Sequence, residues 1–384
     1  MSKKRKGISP ALMSVIGIIL GTALSFCLLT YIKLPRTDVL TVTEDVFYSH
    51  PHESVHDETI SLDNAELSIH FLELGNKYTG DCTYIKTPTA DILIDCGSKS
   101  NSISTVANYL NQYVTDGSLE YVIITHAHQD HYAGFATSTK IQSIFDLYEC
   151  ENIITFSQIT SGKEDTTTYK NYLRELNAEI ASGANHYTAL ECVNQENGAQ
   201  KTYDIGSNAT MTILNSHYYS NKASSENDHS VCLMVSHGEK NFLFTGDLEA
   251  EGEEYLVELN DLPEVDLYKA GHHGSKTSSS QALMSVIKPK TVCVCCCAGS
   301  SEYTDIKDNQ FPTQTFIDHI APYTTEVYVT SLCIDYKKNE FTSFNGNIVY
   351  LSTLTGYTVK CSNNNTYLKD SEWFKNNRVW PQAS

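Results

Sequence analysis

The segment Ile123-Ile124-Thr125-His126-Ala127-His128-Gln129-Asp130-His131 constrains this chain more than any other, because an apolar strand ends there in three histidines and one aspartate. The H-x-H pair at a strand end can put two rings on one metal ion. Asp130 and His131, turning into the next helix, can face a second. Imidazole nitrogens with a carboxylate oxygen suit Zn2+, and suit Mn2+ or Fe2+ if more oxygen ligands join them. Core packing rarely places four ligand-type side chains at such spacing.

With 384 residues, the chain has room for two average domains or for one α/β sandwich of roughly 280–300 residues. The N-terminus differs from the rest. Lys3-Lys4-Arg5-Lys6 precedes an uncharged apolar run from Ala11 to Ile32, long enough as a helix to cross a bilayer core of about 30 Å. Its bulky end, with Leu28, Leu29, Tyr31 and Ile32, argues against a cleavable signal, and Phe26 before Cys27 argues against a lipoprotein site. The expected organisation is a basic tail at 1–10, a transmembrane anchor at 11–32, a linker at 33–65 and a folded domain at 66–384. Only Lys33 and Arg36 follow the run closely, which favours a single-pass cell-membrane protein with its N-terminus inside and the domain outside.

With those six basic residues set aside, 21 of the 27 Lys and Arg remain against 46 Asp and Glu. So acidic a body disfavours a nucleic-acid partner unless metals or a local lysine patch overcome it. Twelve cysteines would tend to pair in an oxidising compartment. However, Cys293, Cys295, Cys296 and Cys297 sit in a Thr-Val-Cys-Val-Cys-Cys-Cys-Ala run that reads as a buried strand using Cys as a small apolar residue.

Alternating or continuous apolar runs predict strands at 67–72, 82–85, 91–95 and 121–125, with a helix near 103–114 between the last two. The middle, 157–208, is polar apart from a helical stretch near 169–180, and reads as insert and surface. Strands at 231–235, 242–245, 265–270 and 292–297 then alternate with helices near 249–259 and 279–287, and the tail suggests two strands around the Asn345-Gly346 turn. The chain thus has two similar halves, each ending in ligand chemistry.

Phe242-Leu243-Phe244-Thr245-Gly246-Asp247 repeats the strand-to-carboxylate design, and Asp247 can bridge two cations. Lys269-Ala270-Gly271-His272-His273-Gly274-Ser275 again puts histidine at a strand end. Together with Ile92-Leu93-Ile94-Asp95-Cys96-Gly97, His126–His131 with Gly134, and Asn227-Asp228-His229-Ser230, these segments resemble the metallo-β-lactamase superfamily. Within it they look like the ComEC-like extracellular hydrolase domain, and they are also similar to teichoic-acid phosphorylcholine esterases. The likeness covers about Ile69 to Cys361.

The resemblance implies an α/β fold, a four-layer αββα sandwich, here preceded by one transmembrane helix. It implies two divalent ions: His126 and His128 on one, Asp130 and His131 on the other, Asp247 bridging, and His272 or His273 completing the second, with Asp95 supporting from behind. Superfamily members take a third histidine for the first metal from the segment before Gly-Asp; ComEC-like members carry N-x-x-S there, matched by Asn227 and Ser230, and His229 could point either way. Asp130 would orient the nucleophile, and a spare His272 or His273 would protonate the leaving oxygen. Asn227, Ser230, Ser275 and Lys276 are candidate substrate contacts. Tyr303 and Phe311-Pro312 stand where ComEC-like domains have a Tyr and a His-Pro pair. The expected function is a membrane-anchored extracellular binuclear hydrolase, a phosphodiesterase for nucleic acid or an envelope phosphodiester. A metal-stabilised surface binding module without catalysis is the alternative, and a β-lactam hydrolase ranks behind both.

Overall fold

Short apolar strands alternating with helices build two eight-stranded mixed sheets in the computed structural model. The structure describes residues 59–99, 101–137 and 142–382. The expected anchor lies outside them, as does the expected linker up to residue 58, and no helix among the described residues is long and apolar enough to cross a membrane.

In chain order the strands are β1 (Leu67–Phe71), β2 (Thr83–Lys86), β3 (Asp91–Ile94), β4 (Ser118–Ile124), β5 (Glu149–Thr155), β6 (Asn185–Thr188), β7 (Thr202–Gly206) and β8 (Ala209–Ile213). They continue as β9 (Leu233–His237), β10 (Lys240–Phe244), β11 (Leu267–Lys269), β12 (Thr291–Ala298), β13 (Glu326–Asp335), β14 (Glu340–Ser343), β15 (Ile348–Thr353) and β16 (Gly356–Cys361). One sheet runs β16-β15-β1-β2-β3-β4-β5-β6 and the other β14-β13-β12-β11-β10-β9-β8-β7. In each, four neighbouring strands are parallel, β3 to β6 and β10 to β13. The two similar halves expected from the sequence are therefore present as two sheets of the same plan.

Strand periodicity decides which side chains meet. Phe242 and Phe244 of β10 face the first sheet, where Phe71 stacks on Phe244 at 6.4 Å and Tyr350 meets Phe242 at 5.3 Å between ring centroids. Leu243, between them, joins a separate cluster with Leu256, Leu283 and Phe316 from the helices Ala250–Leu259, Gln281–Ile287 and Gln314–Ile320. Each fully buried side chain of this kind contributes about 1.5–3 kcal/mol, and Leu243→Ala would remove support from both the sheet and its helices. The cysteines of β12 are all buried, and the eleven cysteines among the described residues are free thiols. That agrees with their reading as small apolar core residues.

Two expectations change. Residues 157–208 are structural, because Thr167–Ser182 buries Tyr172 and Leu176 and the segment supplies edge strands β6 and β7, one to each sheet. Half-buried edge strands carry a weak apolar signal, which is why the segment looks like surface. Asn345-Gly346 is not a hairpin turn: β14 before it and β15 after it lie in different sheets. Asn345 fixes this crossover, accepting from Val329 N and donating to Asn364 O and Thr366 O.

Candidate metal centre

Loops leaving the C-terminal ends of β3, β4, β10 and β11 meet at one edge of the sheets, the place where parallel α/β sheets leave a crevice. Their shared point is Asp247. Its Oδ2 lies 3.2 Å from His131 Nε2, 3.4 Å from His273 Nε2, 3.9 Å from His272 Nε2 and 4.0 Å from His126 Nε2. Asp130 Oδ2 is 3.5 Å from His273 Nε2, and His128 Nδ1 is 3.0 Å from His126 Nε2. The structure thus brings together all seven residues singled out as metal ligands.

Each ring around Asp247 is held by its other nitrogen. His131 Nδ1 donates to Asp95 Oδ2 at 2.8 Å, and His273 Nδ1 to Cys295 O at 2.9 Å. His126 Nδ1 lies 3.1 Å from Thr125 Oγ1, and His272 Nδ1 3.0 Å from Thr277 Oγ1. All four therefore present Nε2 inward, the arrangement by which partners behind a ligand set its tautomer and angle. Asp95 also accepts from Thr125 N and Oγ1.

Backbone shape makes this approach possible. His272 and His273 both have positive φ, 45° and 53°, a region that side chains other than glycine seldom adopt and that costs about 1–3 kcal/mol per residue. That turn aims two consecutive rings at one carboxylate. A Cβ on Gly97 would fall 1.6 Å from Asp130 O, so glycine alone lets the loop after β3 lie against the main chain of Asp130.

The residues present fit a divalent cation. Nε2 of His131 and His273 and Oδ1 of Asp247 are buried without a hydrogen-bond partner, a state that costs roughly 1–3 kcal/mol per group unless something else satisfies it. Their spacings of 3.2–3.5 Å to neighbouring carboxylate oxygens match the ~3.4 Å between ligands around a tetrahedral ion with bonds near 2.1 Å.

Electrostatics divides the rings into two groups. Burial pushes His126, His128 and His272 down, leaving them neutral near pH 7. Burial acts the same way on His131 and His273, but Asp247, with Asp95 beside one and Asp81 beside the other, holds both well above their ordinary range. Against their own burial, Asp247 and Asp130 are kept low chiefly by His131 and His273.

A cleft of about 640 Å3 opens over the centre, lined by His128, Asp130, His272, Lys99, Lys163 and Tyr303 among others. The Tyr303 hydroxyl donates to Asp130 Oδ2 at 2.7 Å. None of the four expected substrate contacts lies in this lining. Ser230 is buried, its Oγ accepting from Asp247 N. Ser275 Oγ accepts from Thr277 N, Lys276 donates to Asn309, and Asn227 Nδ2 donates to Glu249. His229 turns away, with Nδ1 3.2 Å from Tyr218 O. Asp81, Lys99 and Lys163 escaped the sequence reading as lone charged residues outside the motifs, and Lys269, although it opens the Lys269–Ser275 segment, takes no role in that reading.

The family profile described as "Anti-Pycsar protein Apyc1" matches residues 75–268. The chain is 30% identical over 129 residues to Recombination protein 2 of Haemophilus influenzae, covering 34% of this chain and 15% of that protein. It is 31% identical over 108 residues to ComE operon protein 3 of Bacillus subtilis, covering 27% and 14%. The chain thus spans a small part of the length of these relatives. Similar solved structures include the metallo-β-lactamase fold protein YhfI from Bacillus subtilis, with 12% identity, a TM-score of 0.40, and 68% of this chain and 95% of that one covered. Another is a probable metal-dependent hydrolase from Staphylococcus aureus, with 13% identity, a TM-score of 0.29, and 48% and 73% covered. The ComEC-like likeness read from the motifs is met by the two relatives found by sequence.

Proposed function

The chain belongs to the anti-Pycsar protein Apyc1 family, and from that premise we propose that it is a membrane-anchored, binuclear metal-dependent hydrolase acting on a small phosphodiester. The observation that carries the reading is the convergence of four imidazole Nε2 atoms on Asp247 Oδ2, with Asp130 beside them. Asp130, His131 and His273 would hold an inner ion, His126, His128 and His272 an outer one, and Asp247 both. Two such divalent ions, Zn2+ in the first place, supply a hydroxide at neutral pH and neutralise charge on a phosphoryl group under attack.

The chain's own groups divide the remaining work. Lys163 on the cleft wall attracts an anion into an otherwise acidic body, while Lys99 beside it is paired with Glu302 at 2.9 Å. The volume suits a small ligand rather than a duplex, and the acidic charge points the same way. His273 is completely enclosed, so it is not the proton donor to a leaving oxygen. His272 borders the cleft, but its lowered pKa offers a lone pair at pH 7, not a proton. Tyr303 is the group that can donate a hydrogen bond there: the residue is 56% exposed, but the enclosure of its hydroxyl end and then the Asp130 carboxylate it donates to raise its pKa and keep the hydroxyl protonated.

The test is turnover of bis-p-nitrophenyl phosphate by the purified chain, stripped and then reloaded with Zn2+. Turnover should appear on reloading and vanish in Asp130→Ala. Two bound ions with no turnover, and no change in Asp130→Ala, would favour the non-catalytic binding module. Anchoring by Ala11–Ile32 is tested by membrane fractionation, where removal of residues 1–36 should release the protein.

A further inference from the structure

A buried ion pair lies directly behind the inner side of this centre. Asp81, in the loop between β1 and β2, is 1% exposed, and Lys269, the last residue of β11, is 3% exposed. Lys269 Nζ pairs with Asp81 Oδ2 and donates to Ala270 O at 3.1 Å. Asp81 Oδ1 lies 3.2 Å from His273 Nδ1, the nitrogen that also donates to Cys295 O, and Asp81 Oδ2 lies 3.8 Å from His131 Nδ1. The backbone of Asp81 is bound into the same place, since its N–H donates to Asp130 O at 3.1 Å and its carbonyl accepts from Gly97 N at 2.9 Å. One residue from the first sheet therefore touches the main chain of Asp130 and the side chains of His273 and Lys269 on the second.

Such a pair is poor as a stabilising device. Taking two charges out of water loses roughly what their attraction returns, and apolar residues of the same size often serve the fold as well. Its position suggests what else it does. Asp95 accepts from Nδ1 of His131, and Asp81 Oδ1 stands 3.2 Å from Nδ1 of His273, beside the Cys295 carbonyl to which that nitrogen donates. Carboxylates in that position fix ring angle and tautomer and raise the basicity of the inward nitrogen.

We infer that Asp81 is a positioning residue for the inner metal ion, standing against His273 at its Nδ1, and that Lys269 holds the Asp81 carboxylate in place. The inference rests on the two-ion reading given above.

The experiment is chelator competition on the full chain, resolving the two binding steps, with Co2+ absorption as a second readout of the ligand geometry. In Asp81→Asn, affinity for one ion should fall about 10–100-fold, with an altered Co2+ spectrum, while the other ion binds as in wild type. Lys269→Met should move the same step, and Lys269→Arg should restore it. If the single variants do not fold, the charge-free double variant Asp81→Asn/Lys269→Met takes their place, with the same step weakened. A folded Asp81→Asn that binds both ions with wild-type affinity and spectrum would overturn the inference and leave the two-ion reading standing. Equal weakening of both steps would overturn it too, as a merely structural effect. A wild-type chain that binds no ion would sink the two-ion reading and this inference together.

Discussion

On the side of Asp247 that carries His131 and His273, both rings are fully enclosed, each has a carboxylate at Nδ1, and Asp130 closes the lip under the Tyr303 hydroxyl. On the other side, His126 and His128 rest on a hydroxyl and on one another, His272 Nδ1 lies 3.0 Å from Thr277 Oγ1 and 3.7 Å from Glu249 Oε1, and His128 and His272 border the open cleft. In the two-ion reading proposed above, the first side would keep its ion and the second would exchange ligands. A low-dielectric pocket ringed with carboxylates strengthens every interaction with a cation, whereas neutral imidazoles bordering a cleft would hold an ion where a ligand can approach it.

The largest effect should come from the residue both sides share. Asp247→Ala should lose both ions and cut phosphodiester turnover well beyond the roughly 100-fold that loss of a supporting group gives, as read by metal analysis and kcat. One ion retained at wild-type affinity would break the idea of a common bridge. Next come the neighbouring histidines. His273→Ala should abolish inner-ion binding while the outer ion stays, and His272→Ala should do the reverse. Stoichiometry after gel filtration distinguishes them, and identical losses would erase the contrast between the sides.

Acid should expose the same contrast. His131 and His273 are held above their ordinary pKa by carboxylates, so in the ion-free protein they carry protons that a metal must displace. Inner-ion affinity should therefore rise with pH through the neutral range, by up to about tenfold per pH unit for each proton released, and weaken as pH falls. The outer rings, held low, release fewer protons, so their ion should depend less steeply on pH between 6 and 8. Equal slopes in chelator competition at several pH values would contradict this. The smallest effect belongs to Tyr303→Phe, which removes one hydrogen bond to a charged acceptor. About a tenfold loss of kcat/KM is expected, with both metal affinities intact.

The sequence made legible what is local. Three segments in which an apolar strand ends in His or Asp supplied all seven expected ligands now gathered at Asp247, and the alternation of strands and helices gave two similar halves, while the layered sandwich came from the family resemblance. What it hid depends on contacts between distant segments. Asp81 follows a glycine in a loop and Lys269 interrupts an apolar strand, so each alone reads as an ordinary surface charge. Only the fold, by setting the β1–β2 loop against the end of β11, shows that they pair in the interior. His272 and His273 are indistinguishable in sequence, and it is two successive positive φ angles that give each its own partner set. The cleft lysines and Tyr303 come from separate loops with no shared motif, whereas Ser275 and Lys276, beside the motif in sequence, point elsewhere.

The most direct measurement is the metal content of the purified chain after exhaustive chelation and anaerobic reloading, followed in the same sample by hydrolysis of bis-p-nitrophenyl phosphate. Two ions per chain should bind in separable steps, and turnover should appear only once the second is in place. A well-folded chain that takes up no ion, or that hydrolyses the ester equally well without any, would contradict the account at its centre.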